Sequence, residues 1–102
     1  MENSHHKHDE RSLLMHRMVG ERLRRSPAEV VRFAMDNLQR WQQGGVDCDD
    51  FTVWERVLQS GPERILKTIE GEDEEAVRLR QSSPFAGLIP ECDRQRIFAS
   101  IP

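Results

Sequence analysis

The segment Arg78-Leu-Arg-Gln-Ser-Ser-Pro-Phe-Ala-Gly-Leu-Ile-Pro90, RLRQSSPFAGLIP in residues 78–90, sets the terms of the fold. A charged stretch, Arg78 to Arg80, runs through Ser82 and Ser83 into Pro84, then into the apolar and small run Phe85-Ala86-Gly87-Leu88-Ile89. Pro84 disfavours α geometry at Ser83 and demands an extended turn. Gly87 permits positive φ, and Pro90 suits the first turn of a following helix. Burying Phe85, Leu88 or Ile89 is worth roughly 1.5–3 kcal/mol each, so the loop has reason to leave water. Either it folds back as a lid on a helical core, or it is kept for a partner. The lid is the default reading. In the second reading Phe85 and Leu88 are partner contacts, and Arg78, Arg80 and Ser82 form the polar rim usual around a protein-binding patch.

Outward from this loop the chain reads as helix after helix. Upstream, Glu70-Gly71-Glu72-Asp73-Glu74-Glu75 breaks one helical pattern, and its acids sit in the first turn of the next. That helix carries Ala76, Val77 and Leu79, with Arg78 and Arg80 near its C-terminus, and both charge placements suit the helix dipole. Before it, Pro62 opens a helix with Ile65, Leu66 and Ile69 inward. Phe51, Trp54, Val57 and Leu58 make another that ends near Gly61, started by Thr52-x-x-Glu55 as a capping box or by Asp49 or Asp50. The most explicit boundary is Ser26-Pro27-Ala28-Glu29. This is a capping-box pattern with proline in the first helical position, and it starts a helix over 27–43 that Gly44-Gly45 stops. Its apolar stripe is Val30, Val31, Ala34, Leu38 and Trp41. The first helix is expected over 10–25, with Leu14, Met15, Met18, Val19, Arg22 and Leu23 following a three-four spacing. A last short helix runs from Pro90 to about Ala99 with Ile97 and Phe98. No segment shows a β period. The expectation is an all-α single domain of five or six short helices over 10–102, preceded by a flexible His-rich tail over 1–9, with the first two helices antiparallel.

Composition narrows the function classes. The 102 residues are 36% hydrophobic and 32% charged, too apolar for a wholly disordered chain. There is no apolar run long enough for a membrane span and no secretory leader, so the expected compartment is the cytoplasm. The net charge of -3 is unevenly spread. Residues 11–40 hold seven Arg against three acids, and residues 47–75 hold ten acids against three bases. Such blocks can steer association. Arg17, Arg22, Arg24, Arg25 and Arg32 would be the phosphate contacts of a nucleic-acid-binding regulator. The plainer reading is a solvated face that pairs with the acidic middle of the same chain.

Little in the sequence points to chemistry. His5, His6 and His8 offer incidental metal binding at most, and Cys48 and Cys92 lack a partner at ligand spacing and read as reduced thiols. The acids of 70–75 lack the alternating donors of a calcium loop. No Ser–His–Asp or Cys–His arrangement is supported, and no glycine loop is built for phosphate. His16 reads as a helix-border histidine packing locally. No metal, no cofactor and no enzyme activity are expected.

One pattern looks familiar. It comprises His16-Arg17-x-Val19-x-x-x-Leu23, a helix ending Asn37-Leu38-x-x-Trp41, Trp54 with Leu58, and Arg78 to Leu88. It resembles a group of small bacterial helical proteins associated with toxin–antitoxin operons and mobile defence loci. The likeness spans most of 16–98 and is most specific at Arg-Leu-Arg-Gln-Ser-Ser-Pro-Phe. It implies an antitoxin that neutralises a cognate toxin by direct binding. The group's acidic and aromatic run after the loop is only approximated by Glu91, Asp93, Arg94 and Phe98. The alternative is the small nucleic-acid-binding transcriptional regulator, using the arginine side of the first two helices.

Overall fold

In the computed structural model the described residues are 2–99, with the side chains of 10–96 and 99. Six helices follow one another: α1 (Glu2–Arg25), α2 (Pro27–Gln43), α3 (Asp49–Gln59), α4 (Pro62–Glu70), α5 (Glu74–Arg80) and α6 (Glu91–Ala99). No strand occurs among the described residues. α1 starts at Glu2 where the sequence places the start at residue 10, so its backbone takes in residues 2–9 of the expected tail, whose side chains, including those of His5, His6 and His8, lie outside the described residues. No helix among the described residues is long and apolar enough to cross a membrane.

Proline and glycine set the helix boundaries. Pro27 occupies the first position of α2. The Ser26 amide still donates to the Arg22 carbonyl at 2.8 Å, and the Ser26 carbonyl accepts from Val30 at 3.1 Å. The backbone thus breaks for a single residue between α1 and α2. Ser26 is the N-cap, as the sequence indicates, but its side chain makes no capping hydrogen bond. The residue before a proline is pushed out of α geometry whatever its own side chain does. At the other end, Val46 donates to Trp41 at 3.0 Å and Gly45 to Gln42 at 3.1 Å, and Gly45 has φ 92°. These two bonds over a left-handed glycine form a Schellman stop. The N-cap of α3 is Cys48, not Asp49, Asp50 or Thr52; the two aspartates fill the first turn, where negative charge suits the dipole.

α1 is the central element, packed against α2, α4, α5 and α6, while α3 closes between α2 and α4. Its buried line is His16, Val19, Gly20 and Leu23. The expected stripe of Leu14, Met15, Met18, Val19, Arg22 and Leu23 is therefore turned by about one position, and Met15 and Met18 flank the core from the side. A polar ring and a missing side chain hold core positions that hydropathy alone assigns elsewhere. Gly20 is there because α4 comes close: a methyl group on it would stand 3.2 Å from Leu66 Cδ2 and 2.5 Å from Glu70 Oε2. Trp54 of α3 is fully buried at the centre. Its indole N–H donates to the Leu79 carbonyl at 3.0 Å, the partner a buried indole needs. Phe85 and Ile89 complete the same core, so the proline-bracketed segment is a lid.

The lid turns on glycine. Leu88 donates to the Phe85 carbonyl at 3.0 Å, Gly87 has φ 89°, and among the described residues none other than glycine has positive φ. A four-residue turn with positive φ at its third position is type II, which calls for glycine there. Gly87→Ala should lower stability by about 1–2 kcal/mol. Urea unfolding of the two proteins measures it, and equal midpoints would exclude a strained turn.

Candidate functional site

The site with the most specified geometry is the loop of residues 82–89 with the side chains beneath it. Four helices supply groups that fix its course.

From α1 comes His16, which is fully buried. Its Nδ1 lies 2.7 Å from the Ser12 carbonyl oxygen. A carbonyl only accepts, so Nδ1 carries the proton and Nε2 is left with a lone pair. Nε2 accepts from the Ser83 hydroxyl at 2.8 Å, and Ser83 Oγ in turn accepts from the Phe85 amide at 3.2 Å. The imidazole also meets the Phe85 ring edge-on, centroids 6.2 Å apart. Burial pushes the His16 pKa down from 6.5 to about 4; the bond to Ser12 opposes this and the charge on Arg80 adds to it. The ring is therefore neutral at pH 7. A serine hydroxyl on an imidazole is a juxtaposition the sequence reading did not foresee, because the two residues are 67 positions apart. As a proton acceptor for catalysis the ring is poor, being buried, engaged at both nitrogens and held to low basicity. As a tether for Ser83 it is well made.

From α2 comes Asn37, 2% exposed. Its Nδ2 donates to the carbonyls of Pro84 at 2.9 Å and Ala86 at 3.1 Å, while Oδ1 accepts from Arg40 Nη2. Every polar atom of the side chain is used, so the amide has one orientation. Asn37→Leu keeps the volume and removes both donors. The buried Pro84 carbonyl then loses its partner, which costs roughly 2 kcal/mol; Asn37→Asp, placing a carboxylate against two carbonyls, should cost more. Thermal unfolding of the two variants tests the order.

From α3, Trp54 meets Phe85 edge-on at 5.7 Å, and Asp50 pairs with Arg78 at 3.4 Å while lying 3.5 Å from the Ser82 hydroxyl. From α5, Arg80 is 4% exposed. Its Nη1 donates to the carbonyls of Ile69 at 3.3 Å and Gly71 at 2.5 Å. These carbonyls belong to the end of α4, where acceptors are orphaned and a cation is favoured.

This placement corrects the expected contact set. Phe85 and Arg80 are buried, one in the core and the other on the end of α4, so neither is available to a partner that meets the closed loop. Arg78 is exposed, and Ser82 and Leu88 are half-buried. Ala86 and Gly87, which the expected set omitted, are the most exposed part of the turn. Asn37 was missed too. Its signal was present, since it follows Ala34 by three positions and Val30 by seven, in the middle of the apolar stripe of α2.

The five arginines considered for phosphate do not form one face. At 100° per residue, Arg22 lies about 160° around α1 from Arg24. Arg22 is directed to the Leu88 carbonyl at 3.4 Å, and Arg24 pairs with Glu70 of α4 at 3.3 Å. Arg17 and Arg25 are exposed on α1 and Arg32 on α2. The pairing of Arg24 with Glu70 is the arginine-to-acidic-middle contact that the plainer reading expects. Cys48 and Cys92 are free thiols.

No protein-family model matches the chain, and neither the curated proteins nor the solved structures contain a match to it.

Proposed function

We propose that this chain is a non-catalytic interaction protein of the bacterial cytoplasm that docks on a protein partner through the outer edge of its loop. One observation carries the reading: an irregular segment is held in a single shape by buried polar groups of α1 and α2 and an aromatic of α3. The same segment presents Ala86 and Gly87 and part of Leu88 to solvent, beside Ser82 and Arg78. A preshaped loop loses little conformational entropy when it binds, which is the advantage of preorganised recognition. Loops set on rigid elements are also where recognition is usually found. The resemblance of 78–88 to small antitoxin-like proteins points to a cognate toxin as the partner. Neutralisation would then be stoichiometric, with this surface covering the toxin's active site or holding it inactive. The uneven charge along the chain would speed encounter.

The test is co-expression with the neighbouring gene product, followed by co-purification and growth rescue. The expected result is a stable complex and restored growth, with Leu88→Glu weakening binding by about tenfold or more while leaving the helical circular-dichroism spectrum intact. A neighbour that is neither toxic nor bound removes the antitoxin reading. A salt-sensitive gel shift of the protein's own promoter fragment, without protein capture, would move the function to nucleic-acid binding through Arg17, Arg22, Arg24, Arg25 and Arg32.

A further inference from the structure

We infer that the loop is an acid-released latch, in which protonation of His16 removes the acceptor that holds the Ser83 hydroxyl and frees residues 82–89 from α1.

The geometry leaves the imidazole no comfortable way to take a second proton. Nδ1–H is already committed to the Ser12 carbonyl at 2.7 Å. Nε2 is the acceptor of the Ser83 hydroxyl at 2.8 Å. A proton on Nε2 turns that acceptor into a donor, so the Ser83 hydroxyl hydrogen must find another partner while its oxygen still serves the Phe85 amide. The ring is fully buried, so an imidazolium there lacks water.

The charged and titratable groups around it do not relieve this. On α1 the ring's partner is the neutral Ser12. From the loop it meets Ser83 and Phe85, which do not titrate in this range. From α2 the loop is held by Asn37, also neutral, with Arg40 behind it. From α5 the charge that acts on the ring is Arg80, a cation. Arg80 cannot withdraw, because it holds the carbonyls of Ile69 and Gly71. Asp50 of α3 faces Arg78 and Ser82, the residue before Ser83, and its charge is paired with Arg78 rather than turned on the ring. Opening lets the ring hydrate and separates it from Arg80.

The size of the effect follows from linkage. With the ring's pKa at 6.5 when hydrated and about 4 when latched, the opening equilibrium should rise about 300-fold as pH falls from above 6.5 to below 4. Most of the rise lies between these two values.

Native-state hydrogen exchange by NMR reads the opening directly. The reporter is the Leu88 amide, bonded to the Phe85 carbonyl inside the loop. After correction for intrinsic exchange, its protection should fall about 40-fold between pH 6.5 and 4.5. Amides at the centres of α2 and α3 should stay protected. The fall should disappear in His16→Gln, which keeps an acceptor for Ser83 but does not titrate, and should persist in Asp50→Asn. The His16 ring, followed by its own resonances in the unaltered protein, should titrate at about pH 4, where the fall in Leu88 protection levels off, a check that holds even if His16→Gln folds poorly. The inference is overturned if Leu88 protection does not depend on pH, if it falls equally in His16→Gln, if the fall does not level off where the ring titrates, or if all helices lose protection together.

Discussion

Phe85→Ala should destabilise the protein by about 3–5 kcal/mol, the cost of removing a buried aromatic ring and leaving a cavity. Phe85 is 1% exposed and meets both Trp54 and His16 edge-on. With Ile89, it carries the loop into the core. In a chain of 102 residues, a loss of this size is a large part of the total stability and should lower the melting temperature by on the order of 15 °C or more. Phe85→Leu retains much of the volume and should cost roughly a third as much. Urea unfolding followed by circular dichroism compares the three proteins. This measurement also separates the two readings of the loop, since a phenylalanine kept for a partner could be truncated with little change in stability.

The second large effect is a loss of stability on mild acidification. His16 has its pKa lowered by burial to about 4, against 6.5 when solvated. Above pH 6.5 the ring is neutral in both states and its contribution is fully present. Between pH 6.5 and 4 the unfolded chain takes up a proton that the folded chain refuses, so stability falls as the pH falls, by about 1.4 kcal/mol per unit once the unfolded group is protonated. The total from this residue is about 3 kcal/mol, and below pH 4 it contributes no further loss. Unfolding free energies at a series of pH values, for the unaltered protein and for His16→Gln, should differ in slope over this window and run parallel below it. Parallel curves throughout would show that the ring is hydrated.

The order of the helices and the role of the loop were legible in the sequence because the signals are local. Pro27, Gly44-Gly45, Pro62 and Pro90 each act on one or two backbone angles, and the structure turns where they stand. The run Phe85 to Ile89 between prolines had a lid on the core as its default place and a partner as the alternative, and Phe85 and Ile89 are in the core. What was not legible depends on distance along the chain. The phase of α1 shifts because His16 and Gly20, which hydropathy scores as polar or neutral, face the core. His16 is admitted there only because Ser83 meets it, and Gly20 only because α4 lies close. Arg80 reads as a rim residue from its neighbours Gln81 and Ser82; its burial follows from the end of α4 curling back to offer two carbonyls. The arginines of the first two helices share a sign but not a direction. A count of charges finds them, and only the helix geometry separates them.

The central claim is that residues 82–89 are locked onto the helical core at neutral pH. Its most direct test is the denaturant dependence of hydrogen exchange at the Trp54 indole, whose N–H is held by the Leu79 carbonyl beneath Phe85. At pH 7 this proton should exchange only through global unfolding, with a slope against urea equal to that of the equilibrium transition. A fast exchange that urea barely alters would mean that the loop lifts by itself, and would contradict the account.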